Sequence, residues 1–215
     1  MCMKEMIYNA VKCLLTTGGV TPTKETEKIM TVLLGISAIY SRVLETTAAV
    51  GAYEIVATGE IELKESVSQY ITVISSAAAD RLMSEIATLF DTAGRDNQEN
   101  CSLKLLRNMC LQDAEHFPLG ENDEMMLRLD ELFNDFNSSS LKKSRNKQLS
   151  HHDFHQILSG EQIVTVYEDE EVLVIKIGSI LTDIIHRYNN TIQPPFPNLG
   201  ELKQQFRESL ESLKK

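Results

Sequence analysis

TPTKETEKIMTVLLGISAIYSRVLETTAAVGAYEIVATGE, residues 21–60, is the stretch on which the fold turns. Thr21 followed by Pro22 is a helix start, because a first helical turn leaves its N–H groups unbonded and Pro has none to lose. Ile29, Val32, Leu33, Ile36, Ile39, Tyr40, Val43 and Leu44 then recur three and four residues apart, the spacing that collects side chains on one face of a helix. The pattern predicts a single long amphipathic helix reaching about residue 58.

Outward from it the same period continues. Val67, Tyr70, Ile71, Ile74, Ala77, Ala78, Leu82, Ile86, Leu89 and Phe90 predict a second helix, antiparallel to the first across a short turn near Gly59, with alanines that let a neighbour approach closely. TAGRDNQEN (92–100) is a polar loop, after which Ser102 can cap a shorter helix carrying Leu103, Leu106, Met109 and Cys110. HFPLGEN breaks the chain. Met126, Leu129, Leu132, Phe133 and Phe136 give another apolar stripe that ends at NSSS (137–140), a cluster of residues that cap or interrupt helices. IVTVYEDEEVLVI (163–175) reads either as a small hairpin or, the favoured reading, as helix from about 168, since Leu173, Ile177, Ile180, Leu181, Ile184 and Tyr188 keep helical spacing. PPFP (194–197) is a stiff connector to a last amphipathic helix through Leu199, Leu202, Phe206, Leu210 and Leu213. The expected fold class is all-α, an up-and-down bundle of six or seven helices over 1–192, with the connector and terminal helix at 193–215.

The 215 residues, 42% apolar and 24% charged, suffice for a substantial core. A net charge of -10 argues against a nucleic-acid binder that works through its whole surface, and no DNA partner is expected. ENDEMMLRLDELFND (121–135) and EDEE (168–171) are read as solvated acidic faces. Cys2, Cys13, Cys101 and Cys110 form no CxxC pair and are read as reduced thiols. The N-terminal stretch lacks a signal-peptide pattern, and no stretch is read as approaching the roughly 18 apolar residues of a membrane span. A cytoplasmic protein with no membrane association is expected.

One segment departs from this acidity. Residues 141–155 carry Lys142, Lys143, Arg145 and Lys147 against Asp153 alone, and hold His151, His152 and His155, three of the five histidines. On a regular helix Lys147, His151, Phe154, His155 and Leu158 share one face, whereas Arg145 points away from His151 and lies nearer His152. Three readings compete. His151 is a packed core histidine beside Phe154 and Leu158. Alternatively, His151 and His155, at i and i+4, reach one metal ion, although no third ligand is identifiable. In the third, an imidazole exchanges protons near neutral pH while the fixed charge of Arg145 holds a phosphate, which suits RNA cleavage with no metal or other cofactor.

Arg145-Asn146-Lys147-Gln148-Leu149-Ser150-His151-His152-Asp153 resembles the signature of the HEPN superfamily, the higher-eukaryote and prokaryote nucleotide-binding helical bundles, and in its fuller form the abortive-infection U branch. AADRLMSEIATLFD (78–91) and SLKLL (102–106) are similar to the same branch. The resemblance implies a helical bundle that forms a homodimer with two Arg/His motifs facing one cleft, where active members cleave RNA without metal. It makes Arg145 the phosphate clamp and His151 the proton-transfer residue, with His152 open to the same role. Asn146 and Lys147 would orient or attract the RNA backbone, Lys142 and Lys143 extend the basic patch, and Asp153 would fix the motif helix or the histidine tautomer. The Tyr that stands two positions after the His in nucleotidylated toxin members is replaced here by Asp153. A toxin-type role admits a cognate antitoxin as a partner. The alternatives are a non-catalytic HEPN module that binds a nucleotide or protein, and a metal-dependent hydrolase.

Overall fold

The computed structural model describes residues 23–91, 100–139, 141–142 and 167–214. Among the described residues the secondary structure is helical throughout: α1 (Lys24–Ala57), α2 (Glu65–Leu89), α3 (Leu103–Cys110), a 3-10 turn (Gly120–Asn122), α4 (Glu124–Ser138), α5 (Tyr167–Tyr188) and α6 (Leu199–Ser212). The all-α expectation holds, and residues 167–175 of the candidate hairpin are helix. The loop 92–99 lies outside the described residues.

α1 is the helix around which the others assemble. The Thr23 hydroxyl caps it by accepting from the Thr26 N–H at 3.1 Å, and Glu25 and Glu27 place negative charge at the positive end of the helix dipole. Ile29, Leu33, Ile36, Tyr40, Val43 and Leu44 are all buried, and each fully buried aliphatic side chain of this size contributes about 1.5–3 kcal/mol. Polar residues on the same face are satisfied within the helix. The Ser37 hydroxyl donates to the Leu33 carbonyl at 2.8 Å and the Thr47 hydroxyl to the Val43 carbonyl at 2.7 Å.

One sequence expectation needs correction here. By length and composition α1 is apolar enough to cross a membrane, but half of its most apolar stretch is buried among the other helices, as in the core helix of a globular bundle. Its apolar residues exceed one stripe because α2, α3, α5 and α6 all contact it.

Gly59, with φ 76°, reverses the chain after α1, and the Ile61 N–H donates back to the Ile55 carbonyl at 3.2 Å. α2 returns antiparallel, tied laterally by Glu85, which takes Arg42 at 3.3 Å, Arg81 at 3.0 Å and the Thr46 hydroxyl at 3.2 Å. Among the described side chains of α2, those deeply buried fall in its second half, Leu82, Met83, Ile86, Ala87 and Leu89. Tyr70 and Ile74 are exposed, contrary to the continuous buried stripe expected from the spacing, as is Val73 between them. Ala77 is exposed too, so the small residues at mid-helix do not all mark a close approach.

α4 and α5 form the second antiparallel pair. The Asp123 carboxylate caps α4 by accepting from the Met125 N–H at 3.0 Å. Arg128 then reaches Asp183 at 2.6 Å and the Ser179 hydroxyl at 2.9 Å, while Lys176 reaches Asp135 at 2.6 Å. The end of α4 therefore lies beside the beginning of α5. Asp123 also holds Arg187 and Asp130 holds Arg107, each at 2.6 Å, so the acidic block 121–135 is in good part a set of internal pairs, not merely a solvated face. α6 packs on α1, with Leu210 in a small second core beside Ala52 and Ile61, and Lys203 reaches Glu171 on α5.

A close crossing in the bundle sits where Tyr40 of α1 meets Gly178 of α5. The Tyr40 hydroxyl donates to the Val174 carbonyl at 2.8 Å, and burial pushes its pKa well above the ordinary phenol range, so it remains a donor. A Cβ at Gly178 would run into that hydroxyl and the ring carbons behind it. Glycine inside a helix is intrinsically unfavourable, and here the tight crossing explains its presence. We expect Gly178→Ala to destabilise the protein by about 1–3 kcal/mol in urea denaturation despite its better helix propensity. Combining it with Tyr40→Phe should cost less than the two single changes added together.

Candidate functional site

The basic segment connects the two helices of the α4/α5 pair. Leu141, just after α4, is buried in the main core at 2% exposure, and Lys142 is half-buried with its ammonium donating to Asn137 Oδ1 at 2.5 Å. The near end of the segment is thus anchored by one apolar and one polar contact. Lys143, Arg145, Asn146, Lys147, His151, His152 and Asp153 lie outside the described residues, as does His155.

Beside this anchor is a cavity of about 390 Å³, within the size range of small-molecule sites. Its apolar side is aromatic. Phe90, at the end of α2, stacks on Phe136 with centroids 4.1 Å apart and planes 5° from parallel, and meets Phe133 edge-on at 5.9 Å. Its polar side comes from α3 and α4, with Lys104, Arg107 and Asn108 facing Asp130 and Asn137. Asn137 therefore belongs to both the cavity and the contact that anchors Lys142. Of this group only Lys142 was anticipated from sequence. The available signal was Lys104 in the first turn of α3, where a cation opposes the helix dipole and gains nothing from it.

A second polar cluster lies at the other end of the α4/α5 pair. The Tyr188 hydroxyl donates to Asp113 at 2.8 Å, and His116 Nδ1 lies 3.1 Å from the same carboxylate, with the His116 and Tyr188 rings 4.4 Å apart. Arg187 bonds Asp123 at 2.6 Å and the His116 carbonyl at 3.3 Å, and sits 4.8 Å over the Phe117 ring. Burial raises the Asp113 pKa, but hydrogen bonds from Tyr188 and His116 outweigh it and hold the carboxyl below its ordinary value of 3.8. Burial, followed by the Asp113 charge, pushes the nearby Cys110 thiol up to about 12, which leaves it protonated and unreactive. These residues resemble a catalytic constellation in composition. Their geometry instead clamps the 111–123 connection onto the end of α5.

A clamp of this kind has a defined pH dependence. Because the folded carboxyl has the lower pKa, Asp113 contributes stability above the unfolded carboxylate range, and that contribution is lost as pH falls through the depressed folded value. Asp113→Asn should therefore be destabilised at neutral pH by about 1.5–3 kcal/mol, and chemical denaturation should show the gap to wild type closing as the pH drops below 3.8.

No curated protein and no solved structure matches the chain. A family model, HEPN AbiU2, matches residues 34–210, from the middle of α1 into α6 and across the whole α4–α5 connection. A match over most of the length, on a chain whose described residues are helical throughout, is family membership: the protein belongs to the AbiU2 family of HEPN proteins.

Proposed function

We propose that this protein is a cytoplasmic, metal-independent endoribonuclease of the abortive-infection or toxin type, acting as a homodimer with an Arg/His motif from each copy at one cleft. The observation that carries the reading is the run Arg145-Asn146-Lys147…His151-His152-Asp153 standing within a chain of this family. Its side chains have the properties that phosphodiester cleavage requires, and they form the one clearly basic segment of an acidic sequence.

The chemistry follows from those properties. An imidazole, His151 in this assignment, takes the proton from an RNA 2′-OH, whose oxygen then attacks the adjacent phosphorus. Charge grows on the non-bridging oxygens of the phosphorane, and the planar guanidinium of Arg145 stabilises it with parallel donors. The P–O5′ bond breaks, and the leaving oxygen takes a proton from an acidic imidazole, supplied by the same motif on the second copy. The products are a 2′,3′-cyclic phosphate and a 5′-OH end. Asn146 and Lys147 hold the backbone, Lys142 and Lys143 extend the positive field, His152 is the neighbour able to substitute for His151, and Asp153 orients the ring. Pairing two copies doubles the local positive charge, which offsets the repulsion an RNA meets from the rest of the surface.

That repulsion favours one alternative, a non-catalytic module of the same family that binds a nucleotide or a protein partner. Incubation of the purified protein with mixed RNA in EDTA separates the two. Cleavage that persists, leaves cyclic phosphate ends and falls roughly 100- to 10,000-fold in both Arg145→Ala and His151→Ala is the expected result. Its rate should follow a bell-shaped pH profile, since one imidazole must be basic and the other acidic. Intact RNA with wild-type protein overturns the nuclease and leaves the module.

A further inference from the structure

We infer that the aromatic and cationic cavity between α3 and α4 is a subsite that seats one unpaired nucleotide of the RNA strand, beside Lys142 at the near end of the basic segment. The inference rests on the nuclease reading for the identity of the strand, while the cavity itself stands on observed contacts.

Three features point to a nucleotide. The first is uncommitted positive charge. Lys104 is exposed and has no carboxylate partner among the described residues, and its place in the first turn of α3 adds its charge to the positive end of the helix dipole. Arg107 is partly committed, with one terminal nitrogen on Asp130 at 2.6 Å, but its Nε is buried without an acceptor among the described residues. A buried donor left open is costly, and a small turn of the guanidinium toward the cavity it lines would bring a phosphate oxygen within reach.

The second feature is the aromatic wall. Phe133 is half-buried and meets the stacked Phe90/Phe136 pair, which gives a rigid apolar surface of the kind on which a base can stack. The third is the pair of amides. Lys142 has only donors, so the Asn137 atom that receives it is the carbonyl oxygen, and the Asn137 amide N–H groups, with no acceptor among the described residues, can donate to a base edge. Asn108, exposed on α3, offers both a donor and an acceptor.

Position selects the ligand among anionic aromatic molecules. Asn137 joins the cavity to Lys142, and the chain runs from there directly into Lys143 and Arg145. On the nuclease reading, an RNA strand met by Lys142 has a nucleotide within reach of the cavity that Asn137 also lines, so its occupant is a nucleotide of that strand: phosphate on Lys104 and Arg107, base against Phe133. Such a subsite would fix which phosphodiester is presented to the motif and would weight cleavage toward unpaired RNA.

The test is binding of a fluorescent single-stranded RNA in which 2′-O-methyl groups block cleavage, alongside cleavage of the unmodified sequence, both with the full chain. Lys104→Glu should weaken binding roughly tenfold and lower its salt dependence. Phe133→Leu, which keeps the apolar bulk but removes the ring, should also weaken it roughly tenfold. Lys214→Glu makes the same charge change beyond α6, which packs beside the α1–α2 turn, far from Phe90 at the other end of α2, and should bind as wild type does. Equal losses in Lys104→Glu and Lys214→Glu, or unchanged binding by Phe133→Leu, overturn the subsite. If wild type cleaves in EDTA while both cavity variants bind normally, the subsite falls and the nuclease stands. Binding that depends on Lys104 and Phe133 without any cleavage has the opposite meaning, and wild type that neither binds nor cleaves overturns both.

Discussion

Burial of the apolar face of α1 is the constraint on which the rest of the structure depends. A helix with Ile29, Leu33, Ile36, Tyr40, Val43 and Leu44 on one side cannot remain in water, and α2, α3, α5 and α6 each cover part of it. The crossing of Tyr40 with Gly178 sets how close α5 can come, and the hydroxyl that would otherwise be an unsatisfied polar group there is held by the Val174 carbonyl. Once α5 is placed, Arg128 with Asp183 and Lys176 with Asp135 align α4 against it. The basic segment therefore leaves α4 and rejoins α5 at one end of the bundle.

The distribution of charge takes on a different meaning in this light. Asp123, Asp130 and Asp135 belong to a run that looks like an anionic surface, yet each holds a cation from another helix. Arg187, Arg107 and Lys176 are spent on those pairs in whole or in part. Lys104 and Lys142 are not matched to a carboxylate among the described residues; Lys104 lines the cavity and Lys142 is held by Asn137, which lines it too. An acidic protein can in this way present positive charge at one place, where a low-dielectric aromatic wall strengthens it.

Much of the helical framework was legible before any coordinates. The Thr-Pro start of α1 was off by only a few positions, with Thr23 as the actual cap, and Ser102 caps α3 as expected because its hydroxyl competes for a free N–H at a helix start. The reading failed where periodicity was asked to predict burial. Tyr70 and Ile74 keep helical spacing yet face outward, since spacing says which residues share a face and not whether another helix covers it. The clustered motif residues were legible as chemistry, because Arg and His carry their donors and proton affinities wherever they stand.

From the sequence alone came the element types, the family resemblance and the chemical character of residues 141–155, all properties of local order along the chain. Tertiary structure decided which acidic residues are internal partners, why Gly178 is a glycine, and that Phe90, Lys104, Arg107 and Asn137 share one cavity. Those residues are drawn from three helices, and their meeting depends on how helix faces pack against one another, which no spacing within a single helix records.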